Sequence, residues 1–253
     1  VARWVSFDMD KTDLTNRIGN KMIRPTTIPQ SLEALIIEQA IAREALRLSF
    51  EQHKEFAVHL KGVQTERTIS DAFEQTSSGE TLVNLMELDM LVGSGGVLSH
   101  APRRHQAARM LIDAFLPEGV TQLAVDSIFM MPQLGILSTI HPSAAVEVFE
   151  KDCLIRLGSC IAPVGKAVLD QVMLHYEITL ESGKIAGDLK FGELKLIPAP
   201  FEPAQAVLTP GKGLDIGAGK NEVFTTKVYG GVVGILVDGR GRQPFNLSGN
   251  SEN

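Results

Sequence analysis

The sequence contains few cysteines, and this limits the kinds of fold and compartment that fit it. Cys153 and Cys160 are its only two cysteines, and no second pair accompanies them. Neither a disulfide scaffold nor a structural zinc site is therefore expected. We predict that the two thiols are buried as small hydrophobic groups, and that the protein resides in the reducing cytoplasm.

An excess of positive charge and a long apolar run are also absent. The net charge is −6 at pH 7, whereas binding to nucleic acid or to an anionic membrane needs a dominant basic face. The longest uncharged run lies between Asp126 and Glu147, and Pro132, His141 and other breaks make it a poor bilayer span. The sequence therefore predicts no nucleic-acid partner and no membrane association.

The composition that is present is typical of a globular protein. Hydrophobic residues make up 44% of the chain and charged residues 21%. Its 253 residues suffice for one large domain or two modest ones with a hydrophobic core. The first residue is Val1 and not Met, so we expect a fragment, a processed subunit or a truncated chain.

The amino-terminal part is expected to combine an irregular segment with a long helix. Residues 1–28 read as irregular, with a strand-like piece at 3–8. A long helix is predicted to begin after Ser31 as its N-cap and to stop near Gly62. Glu44 and Arg47 would lie on its solvated face.

Alternation of strand and helix signals marks the middle of the chain. We predict a strand at 88–92, a glycine turn, a helix with Pro102 at its first position and a strand at 123–125. Two short helices, at 133–140 and 143–151, follow. This order indicates a parallel α/β arrangement.

The last third of the chain is expected to form a β-rich module. Residues 172–180 alternate, and 228–237 is an apolar, β-branched stretch, interrupted by glycines, that ends in a hairpin turn at Asp238 and Gly239. Residues 248–253 read as a frayed tail. The predicted organisation is an α/β domain over residues 1–167 and a β-rich module over residues 168–253.

The strongest candidate for a ligand site is the turn of Gly93, Ser94, Gly95 and Gly96. A strand that enters a glycine turn before a helix lets the backbone approach a ligand closely and favours anions. The turn is neither a Walker A loop nor a dinucleotide fingerprint. A purely structural turn is the alternative.

Two arginines follow this turn in an unusual position. Arg103 and Arg104 fall in the first turn of the predicted helix, where the helix dipole disfavours cations. A phosphate would remove this conflict, and a local rule broken beside a glycine turn is typical of a functional site. The alternative is that both side chains reach solvent or a carboxylate. His100 is either a ligand contact or a surface histidine.

Three further features allow two interpretations each. Asp126 ends a strand, where α/β sheets place ligand-contacting groups, or it caps the next helix. Residues 214–219 are a phosphate loop or a structural turn, and Arg240 and Arg242 are hairpin-tip charges or partner contacts. No nucleophile or metal-ligand set stands out, so no catalytic residue and no metal site are predicted.

Four runs of sequence resemble one protein family. Residues 43–47, 92–104, 123–132 and 230–242 resemble the MutL/GlmL family, so that the resemblance extends over essentially the whole chain, and the Ser-His-Ala-Pro-Arg segment at 99–103 is fairly specific. Members of this family are encoded beside adenosylcobalamin-dependent mutases such as glutamate mutase. They resemble the ASKHA fold of actin, sugar kinases and heat-shock chaperones, in which ATP lies between two lobes.

The resemblance implies both a fold and a function. It implies the C-terminal lobe of an ASKHA fold followed by a β-rich module. The function implied is that of an ATP-binding accessory or reactivating factor for an adenosylcobalamin-dependent mutase such as glutamate mutase. The turn at 93–96 would contact adenosine, and Mg²⁺ would accompany the ATP. Cobalamin would enter only through the partner enzyme.

The expected partners are the mutase subunits and an N-terminal lobe. That lobe carries the family's phosphate loop and catalytic carboxylate, and we expect it to lie outside this chain. The chain would then be at most an ATPase that needs this lobe. The alternative is a non-catalytic interaction subunit with a degenerate nucleotide fold, docking through residues 168–253.

Overall fold

A computed structural model of the protein describes residues 1–57 and 82–242. Within these residues the helices are α1 (Lys11–Ile23), α2 (Leu32–Phe56), α3 (Gly96–Ser99), α4 (Arg104–Phe115), α5 (Met131–Ser138) and α6 (Pro142–Val148). The strands are β1 (Met90–Gly93), β2 (Gly119–Asp126), β3 (Leu154–Ala162), β4 (Val172–Leu180), β5 (Gly183–Lys190), β6 (Leu194–Ile197), β7 (Pro203–Pro210), β8 (Phe224–Tyr229) and β9 (Ile235–Asp238).

The amino-terminal segment is helical, so the expectation of an irregular segment with a strand-like piece is wrong. A short 3₁₀ turn covers Ala2–Trp4, and α1 follows. The Asp10 carboxylate caps α1 by accepting the N–H groups of Thr12 and Asp13. No residue of α1 is buried, although Leu14, Ile18 and Met22 recur at the four-residue spacing of a helix.

The long helix α2 begins where the sequence predicts. The Ser31 hydroxyl accepts the N–H of Ala34 at 3.1 Å and so caps the helix. The helix ends at Phe56, and the predicted stop at Gly62 lies outside the described residues.

The prediction that Glu44 and Arg47 are solvated is wrong, because both are buried. The Glu44 carboxylate accepts hydrogen bonds from Trp4 Nε1 at 2.8 Å and from Arg47 Nη2 at 2.6 Å. Burial disfavours the charge on Glu44, but the bonds from Arg47 and Trp4 outweigh it and lower the pKa to about 2.

The first sheet is mixed, with the strand order β1-β2-β3-β9-β6. Strands β1 and β2 are parallel and are joined through α3 and α4, which confirms the predicted strand–helix–strand unit. Strand β3 is antiparallel to β2, and β9 is parallel to β3. The fold is therefore α/β with a mixed sheet and not a fully parallel one.

The second sheet has the order β5-β4-β7-β8 and is antiparallel throughout. The predicted strand at 172–180 is confirmed as β4. The apolar stretch 228–237 is divided between β8 and β9, which lie in different sheets. The turn between them packs on Gly158, where a Cβ would lie 1.9 Å from the Gly234 carbonyl oxygen. Only glycine fits there.

Two main cores divide the molecule into layers. One core lies between α4 and the first sheet and includes Met110, Leu111 and Leu123. The other joins the two sheets and includes Ile161, Tyr176 and Val237. Since β6 and β9 complete the first sheet, residues on both sides of position 167 share it. The division into two domains at that position stays a prediction.

The register of the first sheet shows which loops lie at each end of its strands. Strands β1 and β2 both finish at one end of the sheet, at Gly93 and Asp126. Gly119 pairs with Ala162, and Ile161 pairs with Val237, so Asp238 lies at the opposite end. The glycine turn and the charged residues after β9 are therefore at opposite ends of the sheet.

Candidate functional site

The glycines of the turn at 93–96 have different physical reasons to be glycine. A Cβ on Gly93 would lie 2.9 Å from Leu98 Cδ1, so this position needs glycine for packing. Gly95 has φ +100°, which L side chains rarely adopt. Gly96 has neither constraint: its backbone is exposed, and a Cβ there would meet no atom within 4 Å. A ligand that approaches the backbone would account for glycine at this position.

A groove of 710 Å³ lies beside this turn. One wall is formed by Gly96, Val97, His100 and the two residues after it, and the other by the connection between α1 and α2 at 25–32. The volume is in the range of small-molecule sites, which are mostly apolar with a few polar groups. The groove therefore has the size and lining of a ligand site.

The second wall was missed by the sequence prediction, which read 25–29 only as a turn. Its apolar side chains Ile28 and Leu32 are exposed, and Lys21 forms an ion pair with Glu38 among the lining residues. The signal in the sequence that could have revealed this wall is the presence of two large apolar residues in a Pro- and Thr-rich connection. Their exposure leaves an apolar wall that a bound ring would cover.

The Ser94 hydroxyl is an unsatisfied polar group at the base of the turn. Its Oγ is buried and has no hydrogen-bond partner among the residues that the structure describes. A buried hydroxyl without a partner costs about 1–3 kcal/mol, and native proteins rarely retain one without a reason. Ser94 does not itself line the groove, whereas His100, Thr27 and Gln30 are among the polar residues that do.

The two arginines lie further forward in their helix than predicted. Arg103 is the N-cap of α4 and Arg104 its first residue, so the placement of Pro102 at the first position is wrong. Arg104 Nη1 donates to the Ser99 carbonyl oxygen at 2.7 Å. This partner at the carboxyl end of α3 relieves the unfavourable dipole without any ligand. The exposed guanidinium of Arg103 has no hydrogen bond within the described part of the chain. Neither arginine lines the groove.

Asp126 is buried and its carboxylate is used within the chain. It accepts the N–H groups of Ile128 at 3.3 Å and Met131 at 3.0 Å, which is the capping interpretation. Burial disfavours the charge, but bonds from backbone N–H groups, Met131 first, hold the pKa of Asp126 below its usual range. Its backbone carbonyl accepts the Ser99 hydroxyl. Asp126 thus connects the end of β2 to α3, and it does not line the groove.

The second glycine loop is held together by a side chain from within it. Asp215 Oδ1 accepts the N–H groups of Gly217 at 2.8 Å and Gly219 at 3.1 Å. A carboxylate that already occupies these donors makes a structural turn. The phosphate-loop interpretation of 214–219 has no support in this geometry.

Arg240 and Arg242 are not hairpin-tip charges, and this prediction is wrong. Gly239 N–H donates to the Glu193 carbonyl oxygen, and both arginines fold back on the buried Asp238. Arg240 also reaches Asp113 at 2.9 Å. Burial disfavours the charge on Arg240, but the hydrogen bonds that it donates to Asp238 and Asp113 outweigh this and raise its pKa. These residues stabilise the end of the first sheet that lies opposite the groove.

Of the eight predicted site residues, Gly96 and His100 line the groove. Ser94 and Gly95 stand directly before Gly96, and Gly93 is packed beneath them. Arg103, Arg104 and Asp126 lie around α3 with the roles given above.

The described residues contain no set of side chains suited to binding a metal ion and no reactive thiol. No three His, Cys, Asp or Glu side chains there could hold a metal ion. Cys153 and Cys160 are free and buried, as predicted, and burial raises the pKa of Cys160 to about 12. A thiol with such a pKa is not a nucleophile near neutral pH. No helix within residues 1–57 and 82–242 is long and apolar enough to span a bilayer.

Comparison with known proteins identifies the family. A search of curated proteins and a search of solved structures each give no match. A family model described as "MutL protein" matches residues 1–153, from the first residue to the end of the segment before β3. The match includes the groove and the glycine turn, and the resemblance seen at 230–242 lies outside it. More than half of the chain is covered, and the protein therefore belongs to the MutL family of glutamate mutase accessory proteins.

Proposed function

We propose that this protein binds ATP in the groove beside the glycine turn and acts as a nucleotide-dependent reactivating factor for an adenosylcobalamin-dependent mutase such as glutamate mutase. The observation that carries the proposal is Gly96, an exposed glycine that borders the groove and has no packing or φ constraint. Membership of the MutL family supports the mutase as the partner.

The residues around the groove fit a nucleotide. Apolar side chains at Ile28, Leu32 and Val97 offer a surface for a purine ring. The unpartnered Ser94 hydroxyl and the exposed His100 supply polar groups. Lys21 lines the groove in an ion pair with Glu38, and Arg103, free of side-chain hydrogen bonds in the described chain, directly follows the lining residue Pro102 and offers a second cation for a phosphate. These residues would hold ATP, with Mg²⁺ bound through its phosphates.

The proposal assigns binding to these residues and no hydrolytic step. In the proposed role, ATP binding changes the affinity of this protein for the mutase, and the mutase then exchanges a damaged cobalamin for an intact one. Cobalamin contacts the mutase and not this chain. We also propose, as part of the same function, that two lobes close around ATP as in the ASKHA fold.

Calorimetric titration with Mg²⁺ and ATP tests the binding site. We expect wild-type protein to bind and Gly96→Val to bind at least about tenfold more weakly, because the new side chain enters the groove. Gly19→Val is the matched control, since Gly19 is also a helical glycine with open space around its Cβ and does not line the groove. Wild-type protein that binds no ATP would overturn the proposal. Equal affinity in Gly96→Val would exclude this groove.

A second assay tests the role. Mutase that carries an inactive cobalamin is mixed with this protein, fresh adenosylcobalamin and ATP, and substrate turnover is followed. We expect turnover to return with ATP and not without it, and Gly96→Val to recover less than Gly19→Val. Recovery that is the same without ATP would contradict a nucleotide-dependent factor.

A further inference from the structure

The segment between β2 and β3 forms a helical hairpin with a small core of its own. Helices α5 and α6 pack on each other and on a π-helical turn at Phe149–Cys153. Leu134, Ala145 and Cys153 are buried in this cluster, which is separate from the two main cores. Residues 127–148 are called the apolar hairpin below.

From residue 127 to residue 146, the outer surface of the apolar hairpin is exposed and uncharged. Five of its large apolar side chains are between 54% and 72% exposed, namely those of Ile128, Phe129, Ile136, Ile140 and Val146. No Asp, Glu, Lys or Arg occurs between Asp126 and Glu147. A helix that is apolar on all sides is normally buried, and monomers rarely expose a contiguous patch of this kind. This surface is therefore expected to be covered.

The turn that begins the hairpin holds the backbone of one of these residues, Phe129, in a strained conformation. Phe129 has φ +59°, which is unfavourable for a bulky residue. The turn is kept in place by the Asp126 carboxylate, which accepts N–H groups on both sides of Phe129. The buried Asp126 carboxylate maintains this strain, and the turn leaves the side chains of Ile128 and Phe129 exposed to water. This combination is a second sign of a binding surface.

We propose that a second copy of this chain covers the apolar hairpin, so that the protein forms a symmetric dimer through it. In a two-fold contact each residue near the axis meets itself, so a charged surface would repel. The uncharged run 127–146 avoids this. Each of the five side chains offers on the order of 100 Å² of apolar surface, so two opposed hairpins would bury about 1,000 Å², the lower size of a specific interface.

The composition of the surface favours self-association over two other occupants. Homodimer interfaces are more apolar than contacts between different proteins, which are as polar as ordinary surface. A membrane-surface helix carries Lys or Arg on its polar face, and the hairpin has none. The proposal does not depend on ATP binding, so either can fail alone.

Sedimentation velocity of the whole chain over about 1–100 μM tests the dimer. We expect wild-type protein to approach twice the chain mass of 27.4 kDa. The double variant Ile136→Glu/Ile140→Glu should dissociate at least about 100-fold more readily. The control Val168→Glu/Leu169→Glu places the same charges on exposed residues elsewhere and should remain dimeric.

Circular dichroism and thermal melting show whether each variant is folded. If the glutamate variant is unfolded, Ile136→Ser/Ile140→Ser replaces it, and a dimer weakened by that change supports the proposal. Wild-type protein that remains at 27.4 kDa at every concentration would overturn it. So would hairpin variants that dimerise as well as wild type. A monomer that sediments with lipid vesicles would assign the hairpin to a membrane instead.

Discussion

Replacement of Asp113 by Ala should remove a large part of the stability of this protein. Asp113 lies on α4 and is 3% exposed. Its carboxylate accepts Arg43 Nε from α2 at 3.0 Å and Arg240 Nη1 from the segment after β9 at 2.9 Å. One carboxylate thus joins three parts of the chain that are distant in sequence.

The expected loss follows from the burial of both partners. The side chains of Arg43 and Arg240 are only 12% and 15% exposed, so water cannot fully replace the lost carboxylate. Removal of one partner of a buried ion pair costs about 3–5 kcal/mol. Folded domains are stable by about 5–15 kcal/mol. The variant should therefore be marginally stable.

Urea denaturation followed by circular dichroism measures this loss as a change in the free energy of unfolding. The control is Glu147→Ala, which removes an ion pair with Lys151 whose side chains are 63% and 69% exposed. Exposed pairs contribute about 0–1 kcal/mol. If Asp113→Ala lost no more stability than Glu147→Ala, the stabilising role of the buried network would be refuted.

Two other predictions concern Glu44 and Gly158. Because the pKa of Glu44 falls from 4.5 to about 2 on folding, its contribution to stability is complete above pH 4.5 and is lost as the pH falls towards 2. The fluorescence of Trp4, the only tryptophan, should report this transition, and the transition should weaken in Glu44→Ala; an unchanged acid transition would contradict the assignment. Gly158→Ala should lower the melting temperature strongly or prevent folding, because its Cβ would overlap the Gly234 carbonyl oxygen, whereas Gly135→Ala should melt like wild type.

The correct sequence predictions were those that rest on neighbouring residues. Ser31 caps α2 because its hydroxyl reaches an N–H three residues away. Alternation over 172–180 predicts β4, and His141 and Pro142 separate α5 from α6. These signals act within a few residues, so the sequence carries them without knowledge of the fold.

The wrong predictions concern contacts between distant residues. Glu44 and Arg47 resemble a solvated helix face until Trp4 packs over them. Arg240 resembles a turn charge, yet its partner Asp113 is 127 residues away. The β-like stretch 228–237 is interrupted by glycines, and only the fold shows that its two ends join different sheets. The periodicity of apolar residues along the sequence does not reveal contacts between residues so far apart.

One of the two walls of the candidate site could be predicted from the sequence. The glycine turn and His100 were identified from local pattern, as was the position of Asp126 at a strand end. The second wall, with Ile28 and Leu32, comes from a connection more than 60 residues earlier in the chain. Its proximity to Gly96 depends on the packing of α2 against α3 and α4.

The sequence by itself determined that this chain has few thiols, no basic excess, an α/β pattern and the motifs of the MutL family. Composition, caps, turns and motifs are local properties, and the family model confirms the last of them over residues 1–153. Only the tertiary structure decided which glycine borders a groove, which arginines are buried and which apolar surface remains uncovered. Each of these depends on distances between residues far apart in the chain, and those distances are set only when the sheets and helices pack.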